Sequence, residues 1–142
     1  DGSMHSPSEL ALGLLHRARD DGYVVDRLAQ DPAAPDWVIG FHAQQAVEKA
    51  IKAVLANANV VFPRTHNIAM LLALLQQNGI QAPDQDVFLE RLTPFGVAAR
   101  YDSELDQSFS LNRERTRLEI LALLDWAEAM LSNAKNGSAG SP

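Results

Sequence analysis

Apolar residues recur at helical spacing along most of the chain, and the densest run lies between residues 36 and 58. Residues 41–55 contain no Gly, Pro or Asn and are rich in Ala, Gln, Lys, Glu and Leu, which favour helix formation. The larger apolar side chains gather on one side, with alanines beside them: Trp37, Phe41, Val47, Ile51, Val54, Leu55, Ala43, Ala46, Ala50 and Ala53. So wide an apolar face predicts a central helix over residues 36–58 that contacts neighbours on more than one side.

The central helix also carries a polar stripe, which we expect to be exposed. Its members follow one another at steps of three, four and three residues: His42, Gln45, Lys49 and Lys52. Glu48 and Lys52 stand four residues apart, a spacing at which opposite charges stabilise a helix, so the stripe could be purely structural. Gln44 differs, because it falls on the apolar side. We expect its amide to be buried and to need hydrogen-bond partners.

A first helix is predicted before the central one. Ser6 can cap its N-terminus, Pro7 suits the first helical position, and Glu9 completes a capping box. Its apolar stripe consists of Leu10, Leu14, Ala18, Val25 and Leu28. Gly22 interrupts this helix at a cost of about 1 kcal/mol relative to Ala. The helix should end near Gln30, because prolines follow.

Four further helical segments are predicted beyond the central helix. The third helix should have Thr65 as its N-cap and Gly79 as a left-handed C-cap. A shorter fourth helix opens at Pro83 and is broken or kinked by Pro94. Residues 95–101 continue as a helical segment, and a polar loop follows over residues 102–110. The last helix covers residues 111–133, with these side chains inward: Leu118, Leu121, Leu124, Ala127 and Leu131.

The pattern as a whole predicts an all-α fold. No segment shows the sustained two-residue alternation of a strand. Helices joined by short connections indicate an antiparallel four- to five-helix bundle, formed by one domain over residues 4–135. Residues 1–3 look like a cloning remnant. Residues 136–142 are rich in Gly and Ser, and we expect them to form a disordered tail.

Composition narrows the function classes. The net charge of −6 argues against nucleic-acid binding by bulk electrostatics, although a local basic patch could still bind. The absence of cysteine excludes disulfides and thiolate metal sites. No apolar run reaches the roughly 18 residues of a membrane span. No cationic region followed by an apolar segment starts the chain, so we expect no secretory signal. We therefore expect a cytoplasmic protein without membrane contact.

Residue patterns typical of catalysis or metal binding are missing. The four histidines, His5, His16, His42 and His66, show no metal-ligand spacing, so we expect no metal and no cofactor. The chain has neither a cysteine nucleophile nor a GxSxG motif, so no catalytic residue is assigned. Three arginines do cluster at the start of the last helix: Arg113, Arg115 and Arg117. They form either a solvated face paired with nearby glutamates or a patch that binds phosphate or a partner.

Three motifs, in the expected order along the chain, resemble those of one known family. Residues 41–53, FHAQQAVEKAIKA, resemble the hallmark helix of HEPN domains. Thr65 and His66, followed by apolar residues at helical spacing, resemble the start of that family's third helix. Ala99, Arg100 and Tyr101 resemble its Ala-Arg-Tyr segment, although Asp replaces the usual Pro at the next position. Together the motifs cover the chain from about residue 37 to residue 126.

The resemblance implies a helical bundle that often forms homodimers. Many prokaryotic members are encoded beside a minimal nucleotidyltransferase and form toxin–antitoxin or similar two-component pairs with it. Some members are metal-independent ribonucleases, which use an Arg followed after four to six residues by His. This chain departs from that pattern, because the positions where the His would follow Arg100 are occupied by Leu105, Asp106 and Gln107. His66 follows Arg64 too closely.

Three function classes remain open. The first is a non-catalytic binding module that pairs with a nucleotidyltransferase and binds nucleotide or RNA. The second is a ribonuclease with an atypical site, and the third is a purely structural dimerising protein. Any phosphate-bearing ligand should meet the following residues: Lys49, Lys52, Arg64, His66, Arg100 and Tyr101. Arg100 can bind phosphate through two parallel hydrogen bonds, and Tyr101 offers a face for base stacking. Alternatively, Arg100 pairs with a carboxylate such as Glu48, and Tyr101 is packed.

Overall fold

A computed structural model describes residues 6–96 and 111–140, with side chains up to residue 133. Its elements are α1 (Pro7–Leu28), α2 (Asp36–Asn57), α3 (Ile68–Gln77), α4 (Asp86–Glu90), a 3-10 turn (Thr93–Phe95) and α5 (Arg113–Gly140). Within these residues no strand occurs, so the predicted all-helical bundle is confirmed. Predictions for residues 97–110 lie outside the described part of the chain.

The first two helices form a hairpin. Ser6 caps α1 by accepting a hydrogen bond from the Glu9 amide at 3.2 Å, as predicted. α5 also packs along α1 and runs in the opposite direction. Arg117, near the start of α5, contacts Asp26 of α1, and Glu128, further along α5, pairs with Arg19 of α1. α1 is therefore antiparallel to both α2 and α5.

Helix α2 lies at the centre of the bundle. Its fully buried residues occur on several sides of the helix, and they include Ile39, Ala43, Ala46, Val47, Ala50, Ile51, Ala53 and Leu55. α1, α3, α5 and the 3-10 turn all contact it. The predicted contact with more than one neighbour is therefore confirmed.

Two buried glycines allow close packing of helices. A Cβ at Gly22 would lie 2.5 Å from Leu124 Cδ1, and a Cβ at Gly40 would overlap the ring of Phe95. Gly22 was expected only to interrupt α1. The structure shows instead that its missing side chain makes room for α5.

The ends of α3 give one correction and one confirmation. Its N-cap is Asn67, whose Oδ1 accepts from the Met70 amide at 3.2 Å, rather than Thr65. Thr65 Oγ1 accepts from the Asn67 amide at 3.1 Å and so shapes the turn before the helix. Gly79 has a φ of 69° and ends the helix as predicted.

The inward face of α5 differs in part from the expected one. Leu124, Ala127 and Leu131 are buried, as predicted, but Leu118 and Leu121 are exposed. Their places in the core are taken by Ile120 and Leu123. The helix also continues to Gly140, where the composition predicts a disordered tail.

Across the described residues, no helix is both long enough and apolar enough to cross a bilayer.

Candidate functional site

The polar stripe of α2 faces two buried carboxylates. The first belongs to Asp21, in the middle of α1. Its Oδ2 accepts from Lys49 Nζ at 2.7 Å, and its Oδ1 lies 2.9 Å from His42 Nδ1. Because both of its oxygens have partners on the neighbouring helix, Asp21 links α1 to α2. We call these three residues the Asp21 group.

The second carboxylate belongs to Glu48, on α2 itself. Glu48 is only 4% exposed, and its Oε1 lies 2.6 Å from His66 Nδ1. Lys52 Nζ lies 3.8 Å from the same oxygen. The imidazole of His66 is nevertheless 57% exposed. A buried carboxylate thus holds an imidazole that faces solvent.

A fully buried amide holds the backbone beside that imidazole. Gln44 has no exposed surface, and its Nε2 donates to the carbonyl of His66 at 3.1 Å. Its Oε1 accepts from Gln45 Nε2 at 2.7 Å. The predicted burial of Gln44 and its need for partners are confirmed. Because Gln44 and Glu48 lie one helical turn apart, α2 fixes His66 at two points.

The residues around His66 form one corner between α2 and α3. We call it the His66 corner, and it consists of Gln44, Glu48, Lys52, Arg64 and His66. Arg64 is exposed on the connection before α3, and within the described residues it makes no ion pair. The corner therefore combines an exposed guanidinium, an exposed imidazole and a half-buried ammonium.

The predicted ligand-binding residues are only partly brought together. Lys52, Arg64 and His66 belong to the His66 corner, whereas Lys49 belongs to the Asp21 group. Lys49 and Lys52 were expected on an exposed stripe. The structure corrects this, because both ammonium groups are half-buried and lie beside carboxylates.

Two of the predicted ligand-binding residues, Arg100 and Tyr101, lie outside the described residues.

Two arginines at the start of α5 have internal partners. Arg113 Nε donates to Asp36 at 2.8 Å, and its other nitrogens donate to the carbonyls of Asp31 and Ala34. Arg113 therefore holds the connection between α1 and α2 against α5.

Arg117 joins α5 to α1 and also pairs within its own helix. It donates to Asp26 at 3.2 Å and to Glu114 at 2.9 Å. The hydrogen bond from Arg117 lowers the pKa of Glu114, and the same contact raises the pKa of Arg117. The arrangement favours the structural interpretation for Arg113 and Arg117, with partners on α1, on α2, on the connection between them and on α5 itself.

Arg115, the third member of that cluster, has a different contact. Its guanidinium lies 4.6 Å from the centre of the Phe88 ring, in a cation–π arrangement. The structure thus links Arg115 to α4 rather than to a neighbouring glutamate.

Sequence reasoning missed the role of Asp21. Ala18, Asp21 and Val25 follow one another at helical spacing, and all three are buried. A carboxylate on the apolar stripe of α1 was a signal that a cation must lie opposite it. The sequence does not say which helix provides that cation.

The described residues contain no group of three His, Asp or Glu side chains that could hold a metal ion.

The comparison with protein families assigns most of the sequence to a known class. The family model described as HEPN domain matches residues 33–136, which is most of the chain. The chain therefore belongs to the HEPN domain family. No curated protein and no solved structure is similar enough to the chain to count as a match.

Proposed function

We propose that the chain is a non-catalytic HEPN module that binds nucleotide or RNA at the His66 corner. The observation that carries this proposal is the contact between Glu48 and His66 at 2.6 Å. It uses a buried carboxylate to present an exposed imidazole, on the same connection as the exposed Arg64. Exposed side chains held in place by buried polar groups are typical of binding sites.

The charge of the molecule favours a local patch. With a net charge of −6, phosphate groups must be attracted by a cluster rather than by the whole surface. Lys49 is paired with Asp21, and Lys52 lies near Glu48, so the charge of each lysine is partly balanced. Arg64 and His66 are therefore the main binding residues of the proposal. Arg100 and Tyr101 remain proposed members of the same site.

We also propose that the chain forms a homodimer and pairs with a minimal nucleotidyltransferase in a two-component, toxin–antitoxin-like system. HEPN domains often dimerise. The exposed Leu118 and Leu121 on α5 support an apolar interface, since large exposed apolar side chains often mark contact surfaces. Light scattering should give twice the monomer mass, and purification from the native host should recover the nucleotidyltransferase. A monomer recovered without it would contradict both statements.

Salt-dependent binding tests the ligand part of the proposal. Wild type, Arg64→Ala and Arg17→Ala would be titrated with a short oligouridine RNA at several salt concentrations. Arg17 is an exposed arginine on α1 and is the matched control. If Arg64 contacts phosphate, its loss lowers the salt slope of binding by about one unit, while the control keeps the wild-type slope. Equal slopes for all three proteins would remove Arg64 from the site.

RNA cleavage is the second candidate function, and the His66 corner favours it over the purely structural alternative. A carboxylate that orients an imidazole is one requirement of general acid–base chemistry. The Arg-to-His spacing of the family's ribonucleases is nevertheless missing from the sequence. We expect little or no cleavage when clean protein is incubated with RNA in a chelator. Robust cleavage that is lost in His66→Gln would establish the second function instead.

A further inference from the structure

The contact between Glu48 and the ring of His66 is not needed to hold the backbone of the connection before α3. Gln44 already fixes the His66 carbonyl at 3.1 Å. The following residues are fixed as well, because Asn67 caps α3 and the Ile68 amide donates to Thr93 Oγ1 at 3.3 Å. The contact between Glu48 and the ring of His66 therefore adds little to the position of the backbone. Its effect is to fix the orientation of the ring and the place of its proton.

The contact with Glu48 determines what the other ring nitrogen can do. A carboxylate accepts hydrogen bonds, so the proton of a neutral His66 lies on Nδ1. Nε2 then carries a lone pair, and none of the described residues hydrogen-bonds it. A lone pair repels a phosphate oxygen. His66 can donate to a phosphate through Nε2 only after it has taken up a second proton.

The charges around the ring come from α2 and from the connection to α3. Glu48 attracts the doubly protonated imidazole, whereas Lys52, near the same carboxylate oxygen, opposes it. Arg64 lies two residues before His66 on the same connection, and its side chain is exposed. From the 3-10 turn, Thr93 is uncharged and bonds the Ile68 amide. A bound phosphate would add a negative charge beside the ring, and so favour the protonated ring.

We propose that His66 is a proton-dependent phosphate contact, with Nε2 as the donating atom and Glu48 as the positioning residue. This inference rests on the proposed function and adds to it a direct contact and a direction of pH dependence. A neutral ring takes up one solvent proton at Nε2, which forms the N–H bond that donates to the phosphate, and no other covalent bond forms or breaks. Binding should therefore strengthen as the pH falls.

The pH dependence of RNA binding provides the test. A phosphodiester does not titrate between about pH 5.5 and pH 8, so an oligouridine RNA reports the protein's own proton uptake. Wild type, His66→Gln, Glu48→Gln and His16→Gln would be compared across that range. His16 is an exposed histidine on α1 and is the matched control. ATP in a parallel series separates a nucleotide from an RNA ligand.

We expect wild type and His16→Gln to bind the RNA about tenfold more tightly at the acid end, the size of one charge-assisted hydrogen bond. His66→Gln should bind with little pH dependence. Glu48→Gln should lose part of it, because a Gln amide can donate to Nδ1 and move the proton of the neutral ring to Nε2. A wild-type pH profile in His66→Gln would overturn the inference and leave the proposed function standing.

The position of the proton on the His66 ring can also be measured without ligand. Nitrogen NMR of the imidazoles distinguishes which ring nitrogen carries the proton. In the neutral form of free wild type, the proton should lie on Nδ1 of His66, and Glu48→Gln should shift it toward Nε2. A proton on Nε2 in wild type would overturn the inference even if RNA binds. Failure of wild type to bind RNA or ATP at any pH would overturn the proposed function together with the inference.

Discussion

The Asp21 group and the His66 corner are built from the same parts, but only one of them is open. Each has a buried carboxylate in contact with one imidazole and one lysine. Asp21 uses both oxygens, and its imidazole partner His42 is 29% exposed. Glu48 uses one oxygen for both of its partners, and its imidazole partner His66 is 57% exposed.

The difference between the two sites follows from where their partners lie. His42 and Lys49 are on α2 and face α1, so the Asp21 group lies between two packed helices, and its imidazole is the less exposed of the two. His66 is on a connection at the edge of α2, so its ring is held on one side only. The same chemistry therefore stabilises the bundle at one site and presents a side chain to solvent at the other.

The largest expected difference between the two sites is in stability. Lys49→Met leaves the buried Asp21 carboxylate with His42 as its remaining partner, and should lower the free energy of unfolding by about 2 kcal/mol. Lys52→Met is the matched change at the His66 corner. Its ammonium lies 3.8 Å from Glu48, beyond hydrogen-bond distance, so the loss should be smaller, about 1 kcal/mol. Urea denaturation measures both, and equal losses would contradict the distinction.

Gln44 should matter for both stability and binding. Gln44→Leu removes the donor to the His66 carbonyl and the acceptor for Gln45, and should lower the free energy of unfolding by about 1–2 kcal/mol. RNA binding should weaken too, because His66 loses its backbone anchor. Gln77→Leu, on the exposed face of α3, is the control for both measurements. Full RNA binding by Gln44→Leu would show that the anchor is not needed.

The two histidines should separate the two roles. His42→Gln removes an imidazole partner of Asp21 and should lower the free energy of unfolding by about 1 kcal/mol, with RNA binding unchanged. His66→Gln should lower the free energy of unfolding by a similar amount, about 1 kcal/mol, because it removes the close partner of the buried Glu48, but it should also weaken RNA binding. Thermal unfolding measures the stability of each variant, and RNA titration measures its affinity for RNA. Loss of RNA binding in His42→Gln would contradict the purely structural role of the Asp21 group.

The smallest effect belongs to a surface pair that neither site contains. Arg117 lowers the pKa of Glu114, so their contact stabilises the fold above the pKa of the unfolded glutamate and is lost as the pH falls through the folded pKa. Glu114→Gln should therefore lose less stability than wild type on acidification below about pH 4.3. Glu90→Gln, an exposed glutamate on α4, should follow wild type. Acid titrations followed by circular dichroism compare the three proteins.

Periodicity predicted those parts of the molecule that depend on one helix at a time. The central position of α2 and the burial of Gln44 both followed from the spacing of apolar residues along that helix. The Gly79 C-cap followed from the conformational freedom of glycine at one position. Each of these features depends on residues close together in the sequence.

Features that depend on contacts between helices were missed or misplaced. Leucine and isoleucine occur on more than one side of α5, so the choice between Leu121 and Ile120 depends on where α1 and α2 lie. The partners of Asp21, and the imidazole partner of Glu48, come from sequence distances of 18 to 28 residues. Thr65 and Asn67 are both good N-caps, and the tertiary contact of Ile68 with Thr93 helps to fix which one is used.

A histidine-resolved NMR titration tests most directly whether the His66 corner is open and the Asp21 group closed. Oligouridine RNA would be added to the labelled protein near pH 6, and the ring signals of His42 and His66 would be followed. The ring signals of His66 should shift in proportion to the RNA bound, while those of His42 stay in place. A shift of His42 alone, of both rings equally, or of neither ring when RNA binds would contradict the assignment of binding to the His66 corner.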